Sequence, residues 1–458
     1  MKLAGRPLSL VIALGAAALL LPGCRDETTA PEPLSRPTAV RADADRYIVV
    51  MKESKGVTTL AAPSADVSRL GGRIERSQSE IGVYQVRGGA NLAAELRKRP
   101  DVEAVVKDRK VQWLPPRDRR TNASEKFRAT SNQRGAQFFD QFQWNIKKIR
   151  AQRAWNVSTQ GAGVTVCVLD TGIDPRQIDL VGKLDLGISA SFVGNERADR
   201  DFAAHGTYMA SIITSNGLGI ASVAPDARVC SVKVLDRDGG GNFGDIISGI
   251  MHVGNVGVEV ANMSLGVLLP RNDPDVRALA RAIQRAVNFS TNRGVLFVAS
   301  VGNDAANLNN PDIINLPSDV DHVIRVGATG PIGQRQFDRI ASYSNFGRVG
   351  TDVFAPGGDF GFAASVVEDL IIGACSPSFP DPTFACGDRI TYVLGDGTSQ
   401  SAAHVSGEAA VIEAELPGDQ TPAELTACIL DSADPLPLPN RTANGRINVF
   451  EGQECSAS

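Results

Sequence analysis

The sequence predicts an α/β fold, with a mostly parallel sheet covered by helices on both faces and a small α+β unit in front of it. Two observations predict it. Between Trp144 and Cys455, unbroken apolar runs of strand length alternate with longer helical patterns, and strands lacking a polar face must be covered on both sides. The 458 residues are 43% hydrophobic and 21% charged, enough apolar material for a large core, which excludes global disorder. The formal net charge of −4 leaves no surplus of cations to neutralise a phosphate backbone and argues against nucleic-acid binding.

At the amino terminus, residues 8–21 form an apolar run behind Lys2 and Arg6. The run is too short to span a bilayer and has the length of a signal-peptide core. Residues 1–24 therefore read as an export signal, placing the mature protein in the cell envelope or outside the cell. Leu21-Pro22-Gly23-Cys24 resembles a bacterial lipoprotein cleavage box, whose cysteine carries the lipid. Pro22 departs from the small residue usual there, and an ordinary cleaved signal is the alternative. Residues 25–45 are polar and contain several prolines, as suits a tether.

Residues 46–114 form the small unit. Tyr47 to Met51, Ile81 to Val86 and Val102 to Val111 are predicted strands, and Leu92 to Arg99 a helix. Residues 115–140 read as an exposed linker suited to proteolysis, because Leu114 to Gln137 carries no sustained apolar period. In residues 141–455 the predicted strands are Val164 to Leu169, Val229 to Val234, Val258 to Met263, Val295 to Ala299 and Val323 to Val326. The predicted helices are Asp245 to Val256, Asp275 to Ala286 and Thr398 to Leu416, the last stopped by Pro417-Gly418.

Setting Cys24 aside, six of the seven cysteines remain, an even number in a compartment that permits disulfides. Cys375 and Cys386 bracket a Ser/Pro/Asp-rich loop and are expected to staple it, and Cys428 with Cys455 to fasten the C-terminal tail. Cys167 and Cys230 lie inside apolar runs and are expected to be free buried thiols.

Asp170 ends a predicted strand, His205 opens a small-residue helical pattern, and Ser399 starts a helix directly after Gly397-Thr398. The carboxyl edge of a parallel sheet is where active sites collect, and a helix amino terminus favours developing negative charge. An acid, an imidazole and a hydroxyl are what acyl transfer requires: the imidazole takes the serine proton, and the carboxylate fixes its tautomer. The order Asp, His, Ser is that of the subtilisin arrangement, whereas an α/β-hydrolase runs Ser, acid, His behind a Gly-x-Ser-x-Gly elbow.

Residues 144–450 resemble a subtilisin-like serine protease. Val168-Leu169-Asp170-Thr171-Gly172-Ile173, His205-Gly206-Thr207 and Gly397-Thr398-Ser399 match the three catalytic blocks. Asn262-Met263-Ser264-Leu265-Gly266 and Asp238-Gly239-Gly240-Gly241-Asn242-Phe243 resemble the two strands that clasp a substrate backbone, and Ser300-Val301-Gly302-Asn303 the oxyanion block. The resemblance implies a three-layer α/β/α catalytic domain. It makes Ser399 the nucleophile, His205 the general base and acid, Asp170 its orienter and Asn303 the oxyanion donor. Gly239, Gly240, Gly241, Phe243, Ser264, Leu265, Gly266 and Gly302 would line the substrate cleft. Polypeptide substrates, a monomer and no cofactor for the chemistry are expected. Gln400 stands where the family usually has Met, Ala403 where Pro is common, and Ser211 where Gly is usual.

Residues 46–114 resemble an inhibitor-type propeptide through the strand Tyr47 to Met51, Leu70-Gly71-Gly72 and Val102 to Asp108. That likeness implies a segment that assists folding and fills the substrate groove until self-cleavage in the linker. A lipid at Cys24 would be lost with it. Asp304 to Asp312 could bind calcium through oxygen ligands, yet its spacing fits no fixed loop pattern and a solvated loop is the better reading. His252, His322 and His404 read as structural. Two other functions compete: a silent surface protein that keeps the fold for binding, and a serine hydrolase acting on non-peptide substrates. The four reactive residues argue against the first, and the two glycine-bearing strands against the second.

Overall fold

The computed structural model describes residues 42–53, 62–114, 121–123, 133–380, 386–416, 418, 420–437 and 444–455. The signal segment, Cys24, the tether up to residue 41 and much of the linker lie outside the described residues.

The N-terminal segment runs β1 (Ala42–Met51), α1 (Ser64–Arg69), β2 (Arg73–Gln78), β3 (Val83–Arg87), α2 (Ala90–Leu96) and β4 (Val102–Gln112). β1 begins four residues ahead of the predicted unit, inside the stretch read as tether. Alternation along β1 sends Tyr47, Val49 and Met51 into a core with Val67, Tyr84, Val86, Leu92, Leu96 and Val105. On the opposite face, Arg46 bonds Asp245 at 2.7 Å and pairs with Asp108 at 3.0 Å, while Gln85 Nε2 donates to the Gly244 carbonyl at 2.7 Å.

The larger part holds β5 (Thr165–Asp170), β6 (Ala190–Ser191), α3 (His205–Ile213), β7 (Arg228–Lys233), β8 (Gly240–Asn242), α4 (Phe243–Val256), β9 (Val260–Met263), α5 (Pro274–Thr291), β10 (Leu296–Ser300), β11 (Val323–Thr329), β12 (Val353–Pro356) and α6 (Thr398–Glu415). Seven strands form one sheet in the order β12-β11-β10-β9-β5-β7-β6, and every pairing in it is parallel. β5, β9 and β10 are buried throughout their apolar positions, as strands covered on both faces must be. All five predicted strands lie in this sheet; β6 and β12, its edges, were not predicted. α5 starts with Asp273 capping the Asp275 N–H at 2.8 Å and with Pro274 in its first turn. It ends five residues beyond the predicted Ala286, because Val287 and Ser290 continue its buried face.

Two expectations are corrected. Cys167 and Cys230 are not free thiols but a disulfide. β5 and β7 pair in parallel with Cys167 directly opposite Cys230, an adjacency that two apolar runs 63 residues apart in the chain do not announce. The other pairs, Cys375–Cys386 and Cys428–Cys455, are as expected. Part of the stretch read as an exposed connection is strand, since Thr121–Ala123 pairs antiparallel with Tyr392–Leu394, and Leu114 is buried.

Candidate active site

Asp170 is the last residue of β5, at the carboxyl edge of the sheet, and His205 is the first of α3. The imidazole Nδ1 donates to Asp170, 2.8 Å from Oδ2 and 2.9 Å from Oδ1, and both residues are fully buried. A proton held on Nδ1 leaves Nε2 as the basic nitrogen. The Thr171 N–H also donates to Asp170 Oδ1, at 2.6 Å. Gly206 is required beside His205, because a Cβ there would lie 2.1 Å from the Gly172 carbonyl oxygen.

Behind this pair lies a buried polar network that the sequence reading missed. The Asp201 carboxylate accepts from the Thr171 hydroxyl at 2.8 Å, the Thr207 N–H at 2.8 Å and the Thr207 hydroxyl at 2.7 Å. Thr171 Oγ in turn accepts from the Gly206 N–H at 3.0 Å. Asp201 thereby ties the loop after β5 to the first turn of α3. Burial raises its pKa. Lys233, directly opposite Asp170 in the sheet, is fully buried; its Nζ donates to the Thr171 carbonyl and pairs with Glu196 at 3.1 Å. A lysine inside an apolar strand was the visible signal for this network.

Ser399 lies in the first turn of α6. Its hydroxyl donates to the Ser264 carbonyl at 3.1 Å, and the Ser264 hydroxyl returns a bond to the Ser399 carbonyl at 2.7 Å. Asn262 donates to Ser264 Oγ at 2.9 Å and accepts from Ser406 at 3.0 Å, locking the end of β9 to α6. Asn303 Oδ1 accepts from the Thr398 N–H at 2.9 Å and hydroxyl at 2.8 Å. These bonds orient the amide and leave Nδ2 as its donor.

The two glycine-bearing strands hold a piece of the chain itself. β4 pairs antiparallel with β8, Lys110 opposite Asn242, Val111 opposite Gly241 and Gln112 opposite Gly240. The N–H groups of Trp113 and Leu114 donate to the Gly239 carbonyl at 3.1 and 3.3 Å, and the Gly266 N–H donates to the Trp113 carbonyl at 3.3 Å. The Trp113 ring packs on Phe243, which the sequence singled out. Leu265 is buried next to Gly266, and Gly302 accepts the Asn345 N–H at 3.0 Å just before Asn303.

The other histidines stand elsewhere. His404 Nδ1 donates to the Gln400 carbonyl and Nε2 accepts from Asn145, each at 2.7 Å, and burial lowers its pKa to about 4. His252 bonds the Ile188 carbonyl at 2.8 Å, and His322 is exposed. In the stretch from Asp304 to Asp312, Asn307 and Asn310 use their side-chain oxygens on N–H groups of the loop itself, at 3.1 and 3.0 Å. Among the described residues no group of three or more His, Cys, Asp or Glu side chains is arranged to hold a metal ion.

Comparison with known proteins follows the same lines. The chain is 32% identical over 281 residues to a thermophilic serine proteinase of Bacillus sp. (strain AK1), covering 61% of this chain and 59% of that protein, so it spans about three fifths of that relative. It is 34% identical over 276 residues to subtilisin BL of Lederbergia lenta, covering 60% of this chain and 85% of that protein. Among solved structures, the epidermin leader peptide processing serine protease of Staphylococcus aureus shares the fold, with a TM-score of 0.71 at 20% identity over 89% of this chain and 97% of that one. Residues 161–452 match the subtilase family as a whole. That stretch takes in Asp170, His205, Asn303 and Ser399 together, and the chain belongs to the subtilase family.

Proposed function

We propose that the protein is an exported serine endopeptidase, made as a zymogen, that hydrolyses peptide bonds through an acyl-enzyme. The observation that carries this reading is the lie of residues 110–114: polypeptide, in extended form, hydrogen-bonded between Gly239–Gly241 and Gly266. A cleft that clasps main chain on both sides is suited to peptides rather than to small esters.

In the proposed reaction the Ser399 hydroxyl turns from the Ser264 carbonyl, gives its proton to His205 Nε2 and attacks the substrate carbonyl carbon. Asp170 holds the imidazole by Nδ1 and stabilises the imidazolium. Asn303 Nδ2 and the Ser399 N–H at the start of α6 donate to the oxyanion. His205 then protonates the leaving amine, and water releases the acyl group by the same steps in reverse. The route uses only side chains, main chain and water.

Residues 46–114 act in this reading as a propeptide that blocks the cleft until the linker is cut. Residues 1–24 direct export, and lipid on Cys24 holds the uncut chain at the membrane. Among the described residues no helix is long and apolar enough to cross a membrane.

Fluorophosphonate labelling of the native chain and of Ser399→Ala tests the nucleophile: label on the native protein alone is expected, and label on both would refute it. Casein hydrolysis set beside ester hydrolysis separates a peptidase from another serine hydrolase. Mass spectrometry of the secreted form locates the cut and reports any lipid.

A further inference from the structure

Two fully buried carboxylates meet at Thr171, behind His205. The Thr171 N–H donates to Asp170 Oδ1 at 2.6 Å and its hydroxyl to Asp201 Oδ1 at 2.8 Å. Asp201 also accepts from the Ala203 N–H at 3.1 Å and, on Oδ2, from the N–H and hydroxyl of Thr207 at 2.8 and 2.7 Å. Two donors aimed at each oxygen leave no place for a proton, so Asp201 is held as a carboxylate. Both negative charges therefore favour an imidazolium on His205, although only Asp170 touches it.

The cation that answers the second charge is Lys233. It stands directly opposite Asp170 in the pairing of β5 with β7, and the Val234 and Leu235 N–H groups donate to the Asp170 carbonyl at 2.9 and 3.1 Å. The Lys233 side chain is 0% exposed, and its Nζ donates to the carbonyl of Thr171, the residue that joins the two carboxylates. An ammonium in an interior is costly unless it faces buried negative charge. Burial lifts the Asp201 pKa, and Lys233 is foremost among the groups opposing the rise. The other charges around this loop are paired: Glu196 with Lys233 at 3.1 Å and Arg237 at 3.8 Å, Asp199 with Arg197 and Arg200 at 2.6 and 3.5 Å, and Asp174 with Arg176 at 2.6 Å. The first turn of α6, which holds Ser399, carries no charged residue.

We propose that Lys233 and Asp201 form a buried charge couple that sets the acid limit of the reaction, Lys233 lowering and Asp201 raising the pH at which His205 gives up its proton and can serve as base. Attack by the Ser399 hydroxyl needs a neutral imidazole. Lys233 offsets Asp201 and leaves His205 to answer Asp170 alone. Both are positioning residues; they are fully buried, and no bond to either forms or breaks. The inference rests on His205 being the base for Ser399.

The test follows the rate of fluorophosphonate labelling of the processed enzyme from about pH 4 to 9 in the native chain, Asp201→Asn, Lys233→Met and the double variant. The label reports the hydroxyl and its base without a peptide substrate. The midpoint of the acid limb is expected to fall by about one pH unit in Asp201→Asn, to rise by about one unit in Lys233→Met and to return to the native value in the double variant, the scale of one buried charge at close range. A merely structural role would lower the rate at every pH and leave the midpoint in place, and that result would overturn the proposal. Lys233→Met strands the Asp201 charge and is the variant most prone to misfold; Asp201→Asn and the double variant carry the test without it. Labelling that persists in Ser399→Ala would instead refute the nucleophile, an outcome read without any of these variants.

Discussion

The Trp113 indole meets Phe243 edge-on, with ring centroids 4.9 Å apart and planes at 67°, while its Nε1 donates to the Gly241 carbonyl at 2.9 Å. Both rings are buried. A tryptophan that satisfies its N–H and packs an aromatic face is a strong anchor, so Trp113 should hold the N-terminal segment in the cleft. Trp113→Ala is expected to speed fluorophosphonate labelling of Ser399 in the uncut chain at least about tenfold, from the lost burial. An unchanged rate would mean that the strand pairing alone seals the cleft.

Asp170→Asn should preserve the fold and abolish most activity. An amide can donate to Nδ1 and so favours the wrong imidazole tautomer; the loss expected in kcat is about 10⁴-fold. Steady-state kinetics on a peptide, with circular dichroism to confirm folding, measures it.

Asn303→Ala should lower kcat by about 100- to 1,000-fold with little change in KM, a magnitude known for the corresponding donor in a member of this family. A KM effect alone would place Asn303 in ground-state binding instead.

Glu408 predicts how stability varies with pH. It is fully buried on α6, where burial opposes its charged form more than the Asn448 N–H and Arg446 favour it. Nearby Arg446 is already paired with Asp338 and Asp434. Burial pushes the Glu408 pKa from 4.5 to about 8. Because the folded pKa lies above the unfolded one, the stability is fully present below about pH 4.5 and is lost as pH rises through about 8. His404 acts oppositely: its folded pKa near 4 gives stability present above about 6.5 and lost as pH falls. Glu408→Gln should therefore flatten the fall in Tm as pH rises from about 5 to 8, where the native chain loses stability on the order of 4 kcal/mol. Thermal melts from pH 5 to 9 would show it.

The Cys428–Cys455 bridge closes a 27-residue separation and ties the C-terminal tail to the helix Pro422–Asp431. Replacing both cysteines by alanine should cost about 3 kcal/mol. Denaturant unfolding reads the loss, and a thiol assay on the native protein should find Cys167 and Cys230 unreactive.

Much of the fold was legible because its signals are local. Unbroken apolar runs marked the strands of the sheet, and the position of Asp170 at a strand end and of Ser399 at a helix start followed from the same pattern. What escaped had no local mark. Asp201 sits among Arg, Asp and Phe residues that read as loop, yet its carboxylate knits Thr171 to Thr207 across a long stretch of chain. The edge strands β6 and β12 are too short to carry a period.

By itself the sequence marked most of the segments that are strand or helix and offered Asp170, His205 and Ser399 as candidates for acyl-transfer chemistry, since periodicity and residue type are read locally, while Asn303 entered through the family resemblance. Tertiary structure decided which residues became neighbours in space: Cys167 against Cys230, Trp113 against Phe243, Lys233 opposite Asp170. Such contacts depend on sheet register and helix packing, which join residues whose separation along the chain leaves no trace in local composition.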